Sequence, residues 1–450
     1  NILGSNKLDY ESDLMGRNTH STASDAAGNV VSLAFQGFSH LGTAAFRQQG
    51  SEILNAENFE YDAYGQIDQT EMDGAHPYDY TIDKFTNLTS RRGVATHYAA
   101  PASDCATQIS NSGLNAVTAN TAQSKWKASR RGSKQYCYDQ LGRQAINGDN
   151  AIAYYLNGQA SHIKNATTEI KLGYDTNGTP NFEQQTSSNS SKNYTAWLFD
   201  GGRYEIRNDN GVTSTRIYPT HDIRVTYEGA STTPVYDYVM TDTMGSVTGL
   251  ARKNGSSLTV DIAKTRGYTP FGEHRDTADW DTVTTADIGD AYGFTGQRYL
   301  SEFGLYQFVG RIYDTDQGRF TGPDPIVSQP GNWKNYNPYA YVYNDPMGWT
   351  DPTGYSSESW QAQMDNFYYP DTISPNYWSG SQNYQMSLDY GVVQPVNYNI
   401  AAVQPSLGIQ LTQGIDQNLA LASYDLNTPY DNEVAALPVA YVAAIVSMYV

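Results

Sequence analysis

Apolar residues along the 450-residue chain gather in short β-branched or alternating runs, each closed by Gly, Asn, Asp or Ser. VVSLAF from Val30, KLGYD ending at Asp175 and SVTGLARKNGSSLTVDI from Ser246 have this form. Alternation of apolar and polar positions suits a strand with one buried face, and the closing residues suit a turn. The pattern predicts strand, turn, strand as the repeating unit. After Tyr355 it changes: GVVQPVNYNIAAVQPSLGIQLTQ alternates loosely, and VAALPVAYVAAIVSMYV from Val434 is almost wholly apolar.

The turns share a frame in which Gly follows Asp by three places. SDLMGR begins at Ser12, SDAAGN at Ser24, YDAYGQ at Tyr61, YDQLGR at Tyr138, YDTNGT at Tyr174 and TDTMGS at Thr241; YTPFGE at Tyr268 replaces the Asp. Asp opens a turn by accepting backbone N–H groups two residues on, and Gly takes a positive φ without steric cost. Seven copies mark a repeat array. The recurring Tyr predicts a ladder of rings along the sheet, buried at the ring and wet at the hydroxyl.

Composition narrows the class to all-β. Aromatic residues make up 13% of the chain, 37 of them Tyr, and charged residues only 17%, too few for long helices. The net charge of −19 excludes a broad phosphate-binding surface, so no nucleic-acid partner is expected. KASRRGSK at Lys127, the one basic cluster, reads as a solvated loop. The seven His residues show no ligand spacing, so neither metal nor cofactor is expected.

Cys105 and Cys137 bracket 31 small, polar residues, a loop that a disulfide would stabilise. Sequons at Asn87, Asn165, Asn177, Asn189, Asn193 and Asn254 are glycosylation candidates. A disulfide, sequons and few charges predict an extracellular or cell-surface protein. The chain starts without Met or a leader, which reads as a processed or partial product.

AYGFTGQRYLSEFGLYQFVGRIYDTDQGRFTGPDPIVSQPGNWKNYNPYAYVYNDPMGWTDPTGY, Ala291 to Tyr355, closely resembles the RHS-repeat-associated core. The turn frames resemble the YD repeats of the same family, and YDYVMTDTMGSVTGL and RGYTPFGE resemble the repeats that precede its core. The resemblance reaches from about Ser12 to Tyr355. It implies an RHS/YD-repeat spiral β-sheet, a shell or barrel-like body, followed by a β-rich C-terminal tail. The division expected is residues 1–235 as repeat region, 236–355 as core and 356–450 as tail.

In that family the shell often encloses a toxin released by aspartyl autoproteolysis after the last D-P-x-G motif. Carried over by position, the residues are Arg311, Asp324 and Asp351, with cleavage near Tyr355. Two close carboxylates can serve as acid and base, and an arginine can polarise the carbonyl. The chain departs from the family pattern at Val327, Pro338 and Asp345, and QPGNWK lengthens the gap between the two Asp residues. These departures predict Asp residues that form turns and do no chemistry.

Residues 356–450 carry eight acidic residues, ten Tyr and no Lys, Arg, His or Cys, which lacks the phosphate-binding cations of a nuclease. The terminal apolar run is short for a membrane helix and holds Pro438; a membrane is not expected. It reads as an assembly strand, with Val439, Tyr441, Val442, Ile445 and Val446 pairing with a neighbouring copy. The expected function is a non-enzymatic extracellular structural protein that self-assembles into a filament or surface layer. Two alternatives stand beside it: a toxin-enclosing, self-cleaving RHS shell, and a glycan-binding module using Trp333, Trp349, Trp360 and Trp378.

Overall fold

The computed structural model describes residues 57–71, 78–98, 102–114, 119, 124–220, 222–242, 244–254, 265–275, 289–326 and 331–355 in full. It gives the backbone alone for strand residues 7–12, 18–24, 30–39, 42–49, 52–56, 72, 75–77, 257–260 and 358–359. The expected assembly strand near the C-terminus lies outside the described residues, as do Trp360 and Trp378.

The expectation of an all-β body holds. A 23-stranded sheet runs from Lys7–Ser12 to Ser257–Val260. Each strand pairs antiparallel with the next along the chain. Ser257–Val260 returns beside Val30–Ser39, and Val235–Thr241 beside Asn18–Ser24, so the sheet winds back upon itself. Such winding follows from the twist between neighbouring strands summed over many hairpins.

The repeated frame makes one turn geometry. At Asp62, Asp83, Asp139, Asp175 and Asp242 the carboxylate Oδ1 accepts the N–H groups two and four residues on, at 2.8–3.0 Å. The Asp N–H also donates to the carbonyl four residues on, which closes the turn. The fourth position sits at positive φ, as with Gly142 at 84° and Gly245 at 78°. The turn at Asp83 was not legible as a copy because Thr86, at φ 60°, replaces the Gly. Another at Tyr155–Gln159 lacks the Asp. The copies at Ser12 and Ser24 have their turn residues outside those described.

A register shift precedes each of these turns, at Tyr61, Ile82, Tyr138, Tyr154, Tyr174 and Thr241. Such a bulge re-aims the side chain it carries. The tyrosines turn toward the interior, but their hydroxyls are not wet as expected. Tyr138 donates to the Ala128 carbonyl at 2.9 Å, Tyr154 to that of Gln144 at 2.8 Å, and Tyr174 accepts from Gln307 at 3.1 Å. A buried hydroxyl needs a partner, and loops and core supply it.

The core segment fills the wound sheet. A four-stranded sheet, Arg298–Leu300, Leu305–Gln307, Ile312–Asp314 and Arg319–Phe320, lies in its middle. Phe294, Tyr306, Phe308, Tyr313, Phe320 and Tyr341 pack against Phe59, Ile67, Tyr78 and Tyr80 of the sheet. Leu300, Leu305 and Ile312 pack against Ile152, Ile163, Ile170 and Leu172. The turn rim is also stitched to the core by hydrogen bonds. Tyr339 donates to the Gly142 carbonyl at 2.6 Å, Gln159 to that of Val309 at 2.7 Å, and Asn337 and Asn344 to that of Thr86 at 3.0 Å. These bonds tie Val309, Asn337, Tyr339 and Asn344 to the turns of the sheet.

The disulfide forms as the sequence suggested. Cys105 opens Cys105–Asn111, the one α-helix among the described residues, and bonds to Cys137 on the strand Lys134–Tyr138. The helix buries Ile109 against Ile146 and Ala151.

Candidate active site

Arg311, Asp324 and Asp351 meet at the rim-facing end of the core. The short strand Ile312–Asp314 fixes Arg311 at its start, and the guanidinium lies over the Phe320 ring at 3.6 Å. Its Nη2 reaches Asp324 at 2.9 Å and Asp351 at 3.4 Å, and Nη1 donates to the Pro338 carbonyl at 3.2 Å. Its Nε donates to the carbonyl oxygen of Gly354. One side chain thus joins both carboxylates to the backbone of the D-P-T-G segment.

The longer spacing between the two Asp residues does not disturb this geometry, contrary to the sequence expectation. The Asp324 N–H donates to the Pro338 carbonyl at 2.7 Å, which closes the intervening loop at its base. Val327 itself lies outside the described residues. Trp333 and Tyr336 in this loop are exposed, and Trp333 meets Tyr64 edge-on at 5.5 Å.

The two carboxyls differ in setting. Asp324 is 18% exposed, and burial raises its pKa above the ordinary Asp value, offset in part by Arg311. Asp351 is buried; its Oδ1 accepts the N–H of Gly354 at 2.7 Å and of Tyr355 at 3.1 Å. The Gly354–Tyr355 peptide is therefore held at its oxygen by Arg311 and at its nitrogen by Asp351. A polar pocket beside it, lined by Arg311, Asp324, Lys334, Asn337, Asp351 and Tyr355, has room for about one water molecule.

Sequence reasoning missed how the far wall is built. Val342, Tyr343 and Asn344 have φ of 40°, 60° and 61°, a left-handed turn that places Tyr343 on the pocket. Each such residue costs on the order of 1–3 kcal/mol and persists only where its surroundings impose it. Asn344 supplies the restraint, donating to Gln66 at 3.1 Å and to the Thr86 carbonyl. Only the tolerance of Asn for this conformation hinted at it.

The other sequence candidates fare unevenly. Asn87 is buried and bonded to Asp83 and the Lys125 carbonyl, so in the folded chain it cannot accept a glycan. Asn165 donates to the Glu302 carbonyl and Asn193 accepts from the Ser187 N–H, while Asn177, Asn189 and Asn254 are exposed. Among the described residues no group of His, Cys, Asp or Glu has the arrangement of a metal site. No helix among them is long and apolar enough to cross a membrane. The basic cluster is not simply solvated: Arg131 is buried and pairs with Asp316 at 3.1 Å.

No family model matches the chain. It is 26% identical over 222 residues to the tRNA3(Ser)-specific nuclease WapA of Bacillus spizizenii, which takes in 46% of this chain and 9% of that protein. It is 25% identical over 222 residues to the tRNA nuclease WapA of Bacillus subtilis. It is 40% identical over 72 residues to the double-stranded DNA deaminase toxin A of Burkholderia cenocepacia, 16% of this chain and 5% of that one. The crystal structure of TcdB2-TccC3-TEV covers 78% of this chain and 19% of its own, with a TM-score of 0.48 and 14% identity.

Two of these relatives are named as tRNA nucleases and one as a DNA deaminase toxin, and none is named as a structural or self-assembling protein; the match spans only 5–9% of their length. They also correct the expectation that excluded nucleic acid, because the relatives are named for action on tRNA or DNA. Net charge misled here because it describes an acidic stretch whose match spans only 9% of the length of the WapA relatives.

Proposed function

We propose that this chain is the enclosing and self-cleaving part of an RHS-type toxin. Residues 1–235 serve as the repeat body, 236–355 as the core, and the segment that begins at Tyr355 is released; the sheet itself continues across this division to Val260. The observation that carries the reading is Arg311 bound at once to Asp324, Asp351 and the Gly354 carbonyl. A disulfide between Cys105 and Cys137 supports an oxidising, extracytoplasmic setting.

The reaction is hydrolysis of the Gly354–Tyr355 peptide. Asp351 takes a proton from a water in the pocket as the water oxygen bonds to the Gly354 carbonyl carbon. Arg311 stabilises the charge that develops on the carbonyl oxygen. Asp324, which lines the same pocket as Tyr355 and which burial keeps closer to its protonated form, gives a proton across the pocket to the Tyr355 nitrogen as the C–N bond breaks. A carboxylic acid forms on Gly354, which gives its remaining proton to solvent to become a carboxylate, and an amine forms on Tyr355. The proton on Asp351 passes to solvent and Asp324 is reprotonated from it.

Denaturing electrophoresis and intact mass of the freshly made full chain test this. Two fragments are expected, the smaller beginning at Tyr355, and Asp351→Asn should stay whole. A wild-type chain that remains intact after prolonged incubation overturns the reading.

A further inference from the structure

The residue that follows the D-P-T-G motif rests on a surface with no side chain. Gly310 is buried, and a methyl group built on its Cα would fall far inside contact with Cε2 and Cζ of the Tyr355 ring. The backbone of Gly310 is bonded on both sides of this ring: its N–H donates to the Thr353 carbonyl at 2.8 Å, and its carbonyl accepts from the Tyr355 hydroxyl at 3.2 Å. Gly354 completes the approach. At φ 77°, its own missing methyl would lie 3.0 Å from Phe308 Cβ and 3.3 Å from the Arg311 nitrogen. The ring therefore lies against Gly310 where any side chain would meet it, and Gly354 holds a positive φ beside the same segment.

We infer that Gly310 forms a side-chain slot that selects tyrosine at position 355 and thereby sets which peptide bond faces the carboxylates. The chemical class recognised is a flat ring with a hydroxyl at its far end. The ring lies against the glycine, the hydroxyl reaches the Gly310 carbonyl, and the peptide that precedes the ring is left between Arg311 and Asp351. Gly310 is adjacent to Arg311, so slot and guanidinium move together as one backbone unit. Gly310 acts by positioning: it touches the side chain of the residue cleaved, not the reacting atoms.

The slot is a refinement of the proposed self-cleavage, and its test has a readout that does not need cleavage. Gly310 lacks a positive φ, so Gly310→Ala adds a methyl group without backbone strain. In a time course after cell-free synthesis of the full chain, Gly310→Ala should slow self-cleavage at least tenfold, and Tyr355→Phe a few-fold. The double variant Gly310→Ala with Tyr355→Ala should cleave no more slowly than Tyr355→Ala alone, since the methyl then meets no ring. In the Asp351→Asn background, chymotrypsin should cut after Tyr355 slowly when Gly310 is kept, and at least tenfold faster when Gly310→Ala is added. Should Gly310→Ala fail to fold, recovery of the fold in the double variant supports the slot, and failure of both overturns it. Unchanged cleavage and unchanged protection in Gly310→Ala also overturn it. A wild-type chain that never cleaves, yet protects Tyr355 through Gly310, sinks the self-cleavage while leaving the slot in place.

Discussion

Arg298 and Arg311 each lie between two carboxylates, in settings that differ. Arg298 spends all three nitrogens on acids from the sheet: Nε and Nη2 on Glu183 at 2.6 and 2.8 Å, and Nη1 on Glu205 at 3.0 Å. Arg216 reaches the remaining oxygen of Glu205 at 3.2 Å, and everything in the set is buried or nearly so. Arg311 spends only Nη2 on its two acids and gives its other nitrogens to backbone carbonyls, beside a pocket. The first arrangement spends every guanidinium nitrogen on a buried carboxylate of the sheet, which makes it a lock between sheet and core. The second leaves a carboxyl with raised pKa, a polarised carbonyl and room for water. Residue type does not separate the two settings; geometry does.

The largest expected effect separates the two directly. Asp351→Asn should lower self-cleavage by about 10³-fold or more, in the range lost with a general acid or base, while leaving the thermal unfolding midpoint near that of the wild type. Glu205→Gln should leave the cleavage rate within a few-fold and lower the midpoint instead. Time-resolved electrophoresis and a thermal melt of both variants check this. Equal losses of cleavage in both would mean that the two arginine sites are not distinct in role.

Next in size is the lock itself. Arg298→Met strands Glu183 without its cation and leaves Glu205 to Arg216 alone, and should cost about 3–5 kcal/mol of stability. Replacing both acids together with the arginine, in Arg298→Met with Glu183→Gln and Glu205→Gln, should recover most of that loss, because no uncompensated charge remains buried. Denaturant unfolding of the two variants, disulfide intact, provides the comparison. If the single and triple variants are equally unstable, the arginine contributes by packing and not by charge.

The contrast also explains what could be read from the sequence. The turns were legible because Asp62, Asp139 and Asp175 act on residues two to four places away, so the chemistry and the spacing are one fact. The disulfide was legible because only two cysteines exist. Arg311, Asp324 and Asp351 were legible only through resemblance, and their spacing misled because the Asp324 N–H, bonded to Pro338, makes the loop length irrelevant. Arg298 drew no notice at all: its partners lie 115 and 93 residues away, and no local pattern marks it. The tyrosine hydroxyls were misjudged for the same reason, since their partners come from a loop, another strand and the core.

The smallest effect, and the one that best divides the two sites, is the sign of the pH dependence. Glu205 has its pKa lowered from 4.5 to about 2, with Arg298 and Arg216 overcoming the opposing effect of burial. Its contribution to stability is fully present above the unfolded value of 4.5 and is lost as pH falls toward 2; the whole of it amounts to about 3 kcal/mol at 1.36 kcal/mol per pKa unit. Asp324 is shifted the other way, raised by burial from 3.8. When ionised at neutral pH it opposes folding, and that opposition fades as pH falls through its raised pKa toward 3.8. Asp324→Asn should therefore be neutral or slightly stabilising at pH 7, with the gain shrinking on acidification, while Glu205→Gln should be destabilising at pH 7, with the loss shrinking below pH 4.5. Self-cleavage should follow Asp324, slowing as rising pH removes the proton that it donates. Melting midpoints of the two variants and the wild type between pH 3 and 7, with cleavage rates at the same points, read both signs at once. Parallel curves for the two variants would mean that Asp324 is held as firmly as Glu205, and Arg311 would then be a second lock.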